Sequence, residues 1–338
     1  MTDYTGEAGA LSAGVLALGD RATEESNALI QIIENQEGVI TDTTSALETA
    51  VRQKKRLRRL LKECRDEPLI SQTYIGSSNQ TSRAPWSKLV ENVGHDLEIR
   101  RSYDWLPGSF TFDDDFGKRA SAATTKLGTD SKDGAGWQRV LNGDFDAAFK
   151  ARWGAVPLSH VLFDGAHHEA TGPNGPDGPP DLYRSMQHYL IDLLAPINEE
   201  RDARDGIPIK WGVTLMGQDA RDSRFGVAWC DQWTVPELDY VAWDTYASDY
   251  PPTSFAAIHV KQEDYCELRG FEMAVGEYGC FKVPDNMRAV RGEWIEQAEI
   301  HMMDNDYLYG CYWNSEDNWL EEPVEFEGLG SYVHYADN

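Results

Sequence analysis

The stretch Phe271-Glu272-Met273-Ala274-Val275-Gly276-Glu277-Tyr278-Gly279 opens as a β-strand and closes on a carboxylate. Phe271–Val275 is an apolar, β-prone run, and the glycine and glutamate after it mark where it stops. The same form recurs along the chain. Strands are expected at Leu69–Ile75, Leu97–Tyr103, Thr124–Leu127, Leu158–Phe163, Ile209–Met216, Leu238–Trp243, Phe271–Val275 and Tyr309–Trp313. Helical patterns fall at Trp86–Asn92, Phe145–Trp153, Leu182–Leu194, Phe255–Leu268 and Arg288–Met303. Eight strands separated by helices or loops, across about 270 residues, predict an α/β fold of the (β/α)8 TIM-barrel type. An open doubly wound sheet is the rival. It would announce a Gly-rich phosphate turn after the first strand, and Ser77-Ser78-Asn79-Gln80 is not one.

Charge divides the chain. The 338 residues carry a formal net charge of −26. Residues 1–66 hold 9 Lys/Arg and 11 Asp/Glu, whereas residues 67–338 hold 22 and 46, so the acidity belongs to the second segment. The asymmetry predicts two modules with a boundary at Glu67-Pro68. In the first, apolar residues recur in sevens at Val15, Ala22 and Leu29, and again at Ile33, Ile40 and Leu47, with a shift of phase between the two series. This predicts an N-terminal helical coiled-coil stalk ahead of the barrel. A seam so narrow needs a partner, and a homotrimer is the favoured one. Two helices folding back on the same chain are the alternative. The basic run Arg52–Lys62 reads as a charged collar that docks on another protein surface.

Composition excludes several classes. An acidic surface is the wrong partner for phosphate backbones, so nucleic-acid binding is not expected. Aromatic content of 11%, with 11 Trp, separates the chain from acidic disordered segments. No run of about 18 apolar residues exists, so no membrane span is expected. The residues from Met1 to Ala10 lack the basic and apolar regions of a secretory signal. Five cysteines, Cys64, Cys230, Cys266, Cys280 and Cys311, show no CxxC spacing and read as free or buried thiols. His167-His168 lacks the further spaced ligands of a zinc site, and Asp113–Asp115 and Asp130–Asp133 lack a calcium-loop pattern. No metal and no cofactor are expected.

A TIM barrel places its chemistry at the C-terminal ends of the strands. There the sequence sets Arg101, Tyr103 and Asp104 after the second strand, and His167, His168 and Glu169 after the fourth. Met216 and Gln218 follow the fifth, Asp244 and Tyr246 the sixth, Glu277 and Tyr278 the seventh, and Trp313 and Asn314 the eighth. Two carboxylates across a barrel mouth are what glycosidic hydrolysis requires. One protonates the leaving oxygen and the other attacks or stabilises the oxocarbenium-like centre. Trp and Tyr offer flat faces to sugar rings. Trp211, Trp229 and Trp233 read instead as core.

His168-Glu169 after the fourth strand and Gly276-Glu277-Tyr278-Gly279 after the seventh resemble the clan of retaining glycoside hydrolases on (β/α)8 barrels. Within it, family 26, the β-mannanase and related endoglycanase group, is the nearest pattern. Leu238-Asp239-Tyr240-Val241-Ala242-Trp243-Asp244-Thr245-Tyr246 and Tyr312-Trp313-Asn314 add to the likeness. The resemblance implies that Glu169 is the general acid/base and Glu277 the nucleophile. It implies that His168 orients groups near Glu169, and that Tyr246 and Trp313 line the sugar subsite at the scissile bond. Arg101, Tyr103, Asp244 and Asn314 complete the expected substrate-binding set. The segment Ala170–Pro180 departs from the mannanase pattern, being rich in turn residues and free of aromatics.

A heptad stalk ahead of a glycosidase-like barrel, without an export signal, looks like a bacteriophage minor tail or tail-tip protein. That likeness implies synthesis in the host cytoplasm, mounting in the virion and contact with other tail proteins through the N-terminal helices. It implies a host cell-surface glycan as the target. A non-catalytic carbohydrate-binding barrel and a purely structural tail component are the alternatives.

Overall fold

A computed structural model describes residues 73–79, 93, 97–106, 120–127, 134–171, 176–221, 226–280 and 288–314. These all lie in the second of the chain's two units, Ser71–Asn338. The expected stalk, the boundary at Glu67-Pro68, the helix at Trp86–Asn92, Cys64 and both aspartate clusters lie outside the described residues.

Eight parallel strands close into a barrel in chain order: β1 (Tyr74–Asn79), β2 (Ile99–Leu106), β3 (Ala120–Leu127), β4 (Val161–Ala166), β5 (Lys210–Met216), β6 (Tyr240–Ala247), β7 (Glu272–Cys280) and β8 (Tyr309–Asn314). The pairing of β1 with β8, from Tyr74 opposite Tyr309 to Asn79 opposite Asn314, removes any free edge. This closure excludes the open-sheet alternative. Helices among the described residues are α1 (Ala135–Leu141), α2 (Asp146–Ala155), α3 (Pro180–Asp202), α4 (Gly217–Arg221), α5 (Val227–Cys230), α6 (Phe255–Arg269) and α7 (Arg288–Asp304). Local chemistry sets their ends. Pro180 opens α3, where a missing N–H costs nothing. The Ser254 hydroxyl accepts from the Ala257 N–H at the start of α6, and Gly270 ends that helix at φ 78°, a conformation that suits glycine.

Strand alternation divides the apolar residues into two cores. Ile99, Ala120, Ala122, Phe163, Tyr240, Ala242, Ala274, Tyr309 and Cys311 form a buried cluster together with Tyr74. Their strand partners Ile75, Ala123, Leu162, Val213, Val241, Trp243, Val275 and Tyr312 belong to the larger cluster with the helices. The smaller cluster is the inside of the barrel. Phe163 sits 4.9 Å from the Tyr309 ring and 5.9 Å from Tyr74 and Tyr240, while the alanines leave room for these rings. Trp211 and Trp233 are buried in the outer core and Trp229 packs against it, as core residues. The described cysteines, Cys230, Cys266, Cys280 and Cys311, are buried free thiols.

One irregularity positions the chemistry. Trp243 of β6 lies opposite Val275, but the next residue, Asp244, lies opposite Glu277. The pairing with β8 shifts over the same stretch. Strand β7 therefore carries one extra residue, a β-bulge at Gly276. Unbroken alternation from Ala274 would turn Tyr278 into the barrel and Glu277 toward the helices. With the bulge, Tyr278 packs outward, 5.7 Å from the Phe255 ring, and Glu277 faces inward. A Cβ at position 276 would overlap Arg101 Nη1 and lie 2.5 Å from Asp244 Oδ1, so the bulged residue must be glycine.

Candidate active site

Above the apolar floor the barrel interior turns polar. Arg101 and Asp244 are buried, with Arg101 Nη1 2.9 Å from Asp244 Oδ1. The other end of the guanidinium reaches the Thr124 and Thr214 hydroxyls at 3.4 and 3.3 Å. Asp244 Oδ2 accepts from His168 Nε2 at 2.5 Å. Both oxygens of Asp244 are thus committed below the mouth. Arg101 and Asp244, expected to contact substrate directly, pair with each other below the mouth. The sequence places their polar groups at strand ends, but it cannot show that they satisfy one another first.

Beside this pair stands Glu277, whose side chain is 4% exposed. Tyr103 donates to its Oε1 and Tyr246 to its Oε2. Arg101 Nη1 lies 3.7 Å and His168 Nε2 3.4 Å from Oε1. Burial alone would raise this carboxyl. The His168 charge and hydrogen bond, the Arg101 charge and the Tyr103 hydrogen bond outweigh it and hold Glu277 down at about 2. Burial works against the His168 cation as well. The charges of Asp244 and Glu277 overcome it and push the imidazole up to about 9. At neutral pH the pair is an imidazolium beside a carboxylate.

Glu169 lies on the other nitrogen of the same ring, its Oε2 3.9 Å from His168 Nδ1. Its side chain is 21% exposed, five times more open than Glu277. Burial, reinforced by the Asp244 and Glu277 charges and opposed by His168, pushes it up to about 7. One imidazole therefore separates two glutamates in opposite states: Glu277 ionised, Glu169 protonated up to neutrality. This is the pattern that assigns acid and base roles in an enzyme site. The turn carrying Glu169 is unusual too. His167 and Glu169 have φ of 66° and 53°, left-handed values that cost a non-glycine residue about 1–3 kcal/mol each.

The expected residues come together. Trp313 lies edge-on to Tyr103 with ring centroids 6.2 Å apart, and Tyr103 lies 5.1 Å from His168. Trp313, Tyr103, Tyr246, His168 and Glu169 are part-exposed around the mouth. Met216 ends β5 half-buried, and Gln218 sits in α4. Asn314 ends β8, and its side chain, like that of Asp104, lies outside the described residues. Three residues not anticipated from sequence shape the surroundings. Asp177 pairs with His167 at 2.8 Å, and the Thr171 hydroxyl donates to buried Asp219 at 2.5 Å. Nothing in their spacing marks these contacts: the first closes the connection between β4 and α3 on itself, and the second ties that connection to α4.

His168, Glu169 and Asp244 offer three ligand atoms within 4.8 Å of one another. A cation there would have to displace the imidazolium from Asp244 Oδ2 while Arg101 holds Oδ1, so the donor set does not fit a metal. The residues fit a negatively charged nucleophile and a proton donor instead.

The sequence matches no protein-family model and no curated protein. Solved structures of similar architecture include a glucosidase from Croceicoccus marinus, at 14% identity and a TM-score of 0.48, covering 78% of this chain and 66% of that one. The chain thus spans just under two thirds of that glucosidase. The GH26 domain of an endo-β-mannanase/endo-β-glucanase from Prevotella bryantii is 16% identical, with a TM-score of 0.46 over 77% of this chain and 88% of that one. A GH128 endo-β-1,3-glucanase from Amycolatopsis mediterranei is 9% identical, with a TM-score of 0.44 over 77% and 99%. These structural neighbours are glycoside hydrolases, and the likeness is distant. The barrel itself is established by its own strand order and closure.

Proposed function

We propose that the barrel is a retaining glycoside hydrolase in which Glu277 is the nucleophile and Glu169 the general acid/base. The observation that carries this reading is the placement of two glutamates on the two nitrogens of the one imidazole of His168, the open Glu169 at Nδ1 and the buried Glu277 at Nε2, where their surroundings push them in opposite directions. Glu277 attacks the anomeric carbon while Tyr103 and Tyr246 hold its two oxygens and fix its direction. Glu169 gives its proton to the departing glycosidic oxygen. The glycosyl ester so formed is then cleaved by water, and Glu169 takes the water's proton in that second step. The shift of Glu169 toward 7 suits both duties, since it is protonated when it must give and returns to that state after accepting. Trp313 and Tyr103 supply the ring faces on which a pyranose stacks.

The heptads of residues 11–62 and the near-neutral charge of residues 1–66 support a further part of the reading. Those residues mount the barrel, as a trimer, on a bacteriophage tail, where repeated copies gain avidity for a host surface polysaccharide. A neutral glycan suits a module with a net charge of about −24 better than an anionic one.

The test is release of reducing ends from purified host-envelope glycans by wild type, Glu277→Ala and Glu169→Ala. Release by wild type alone is expected. Equal release by all three proteins refutes the assignment, and binding without release by any of them favours a carbohydrate-binding barrel.

A further inference from the structure

We propose that His167 and Asp177 form a positioning clamp for Glu169, so that their contact sets the efficiency of proton donation. This rests on Glu169 acting as the acid/base. The two adjacent histidines have divided duties. His168 faces the barrel axis and touches Asp244, Glu277 and Glu169. His167 turns the other way, into the layer of helices, with its ring 5.1 Å from Trp137 of α1 and 6.4 Å from Tyr183 of α3. Its Nε2 meets Asp177 Oδ2 at 2.8 Å. It takes no part in the reacting groups.

The turn needs to be held. His167 and Glu169 both occupy left-handed backbone, and such conformations persist only where the surroundings over-determine them. Four contacts do so. The His167 N–H extends the β3 ladder by donating to the Thr125 carbonyl at 2.8 Å. The Asp177 N–H returns to the Ala170 carbonyl at 3.1 Å, and the Asp177 carbonyl accepts from the Gly134 N–H at 2.9 Å. Thr171 is tied to Asp219 on α4. Asp177 therefore grips the turn twice, by side chain on one flank of Glu169 and by backbone on the other, while anchored itself to the start of α1. Of the two grips that Asp177 makes, the side-chain one on His167 can be removed by substitution without breaking backbone bonds.

The consequence is specific. A Glu169 carboxyl displaced by a fraction of an ångström donates its proton badly but leaves Glu277 untouched. Substrates whose leaving groups need no proton should scarcely notice. The experiment measures kcat/KM, which reports the first glycosidic cleavage. The probes are phenyl and 2,4-dinitrophenyl β-glycosides of cellobiose, laminaribiose and mannobiose, tested on wild type, Asp177→Ala, Asp177→Asn, His167→Ala and Glu169→Ala. Asp177→Ala and His167→Ala are expected to lose about 10²-fold on the phenyl glycoside and less than about threefold on the dinitrophenyl one, as misplaced catalytic groups do. Asp177→Asn, which keeps an acceptor for His167, should recover most of the loss. If Glu169→Ala shows the split but Asp177→Ala and His167→Ala lower both probes alike, or neither, the clamp is overturned while the acid/base role stands. If Glu169→Ala shows no split, or no probe is cleaved, the acid/base role falls instead. The clamp is then judged on a crystal structure of Asp177→Ala. There, loss of positive φ at His167 or Glu169 is expected, and an unchanged turn overturns it.

Discussion

Replacing Gly276 by alanine is the sharpest perturbation of the site that removes no site side chain. The added methyl falls on the Arg101 guanidinium and 2.5 Å from Asp244 Oδ1, and those two groups are 1% and 0% exposed. Neither partner has open space to retreat into. Arg101 is tethered to Thr124 and Thr214, and Asp244 to His168. Relief by small shifts alone would cost about 1–3 kcal/mol, the usual range for overpacking. Separation of the buried ion pair would cost about 3–5 kcal/mol. A loss near 3 kcal/mol lowers the unfolding midpoint of a module this size by about 5 °C. The same movement drags His168 and Glu277 out of register, so kcat/KM should fall about 10²-fold. Thermal unfolding followed by near-ultraviolet circular dichroism of the buried tryptophans, with kcat/KM on the same preparations, measures both. An alanine variant with a midpoint within a degree of wild type and undiminished kcat/KM would refute the bulge as the device that aims Glu277.

Three further outcomes follow from the charges. The alkaline limb of kcat/KM should fall as Glu169 loses its proton near pH 7. His168→Gln removes a cation that lowers the Glu169 value, so the limb should move to higher pH even as the rate drops; a limb that moves down contradicts the assignment. Tyr103→Phe removes a hydrogen bond that favours ionised Glu277, so the acid limb should move up from about 2. Glu277 also contributes stability that is present above its unfolded value of 4.5 and lost as pH falls toward 2, so wild type should lose more stability than Glu277→Gln over that window. Away from the site, Asp164 faces Arg152 at 3.0 Å and accepts from the Trp153 indole at 2.8 Å, all buried. Asp164→Ala should cost about 3–5 kcal/mol by leaving that arginine's charge uncompensated, measured by denaturant unfolding.

The barrel was legible because eight short β-prone segments alternate with helical or turn-rich ones along the chain. Seven of the eight expected strands overlap the observed ones by three residues or more, and β1 begins five residues later than expected, sharing only Tyr74 and Ile75. Strand ends were less legible. β4 continues to Ala166, β6 to Ala247 and β7 to Cys280, beyond expected ends at Phe163, Trp243 and Val275. The apolar pattern stops where the site begins, but the backbone ladder does not depend on side chains and runs on through Asp244, Tyr246 and Glu277. The short helices α1, α4 and α5, of seven, five and four residues, are too brief to show a helical period. The glutamate pair was readable from its place after the fourth and seventh strands. The bulge was not, because an extra residue in one strand is visible only against its neighbours. Nor was the commitment of Asp244 to Arg101 and His168, which are 143 and 76 residues away.

The most direct measurement of the central claim is the anomeric configuration of the first product, followed by proton NMR during cleavage of a β-linked oligosaccharide by the intact protein. Attack by Glu277 on one face, followed by attack of water on the opposite face that the leaving group vacated, predicts a first-formed β-anomer that then mutarotates. A first-formed α-anomer would mean a single displacement by water and would contradict Glu277 as the nucleophile.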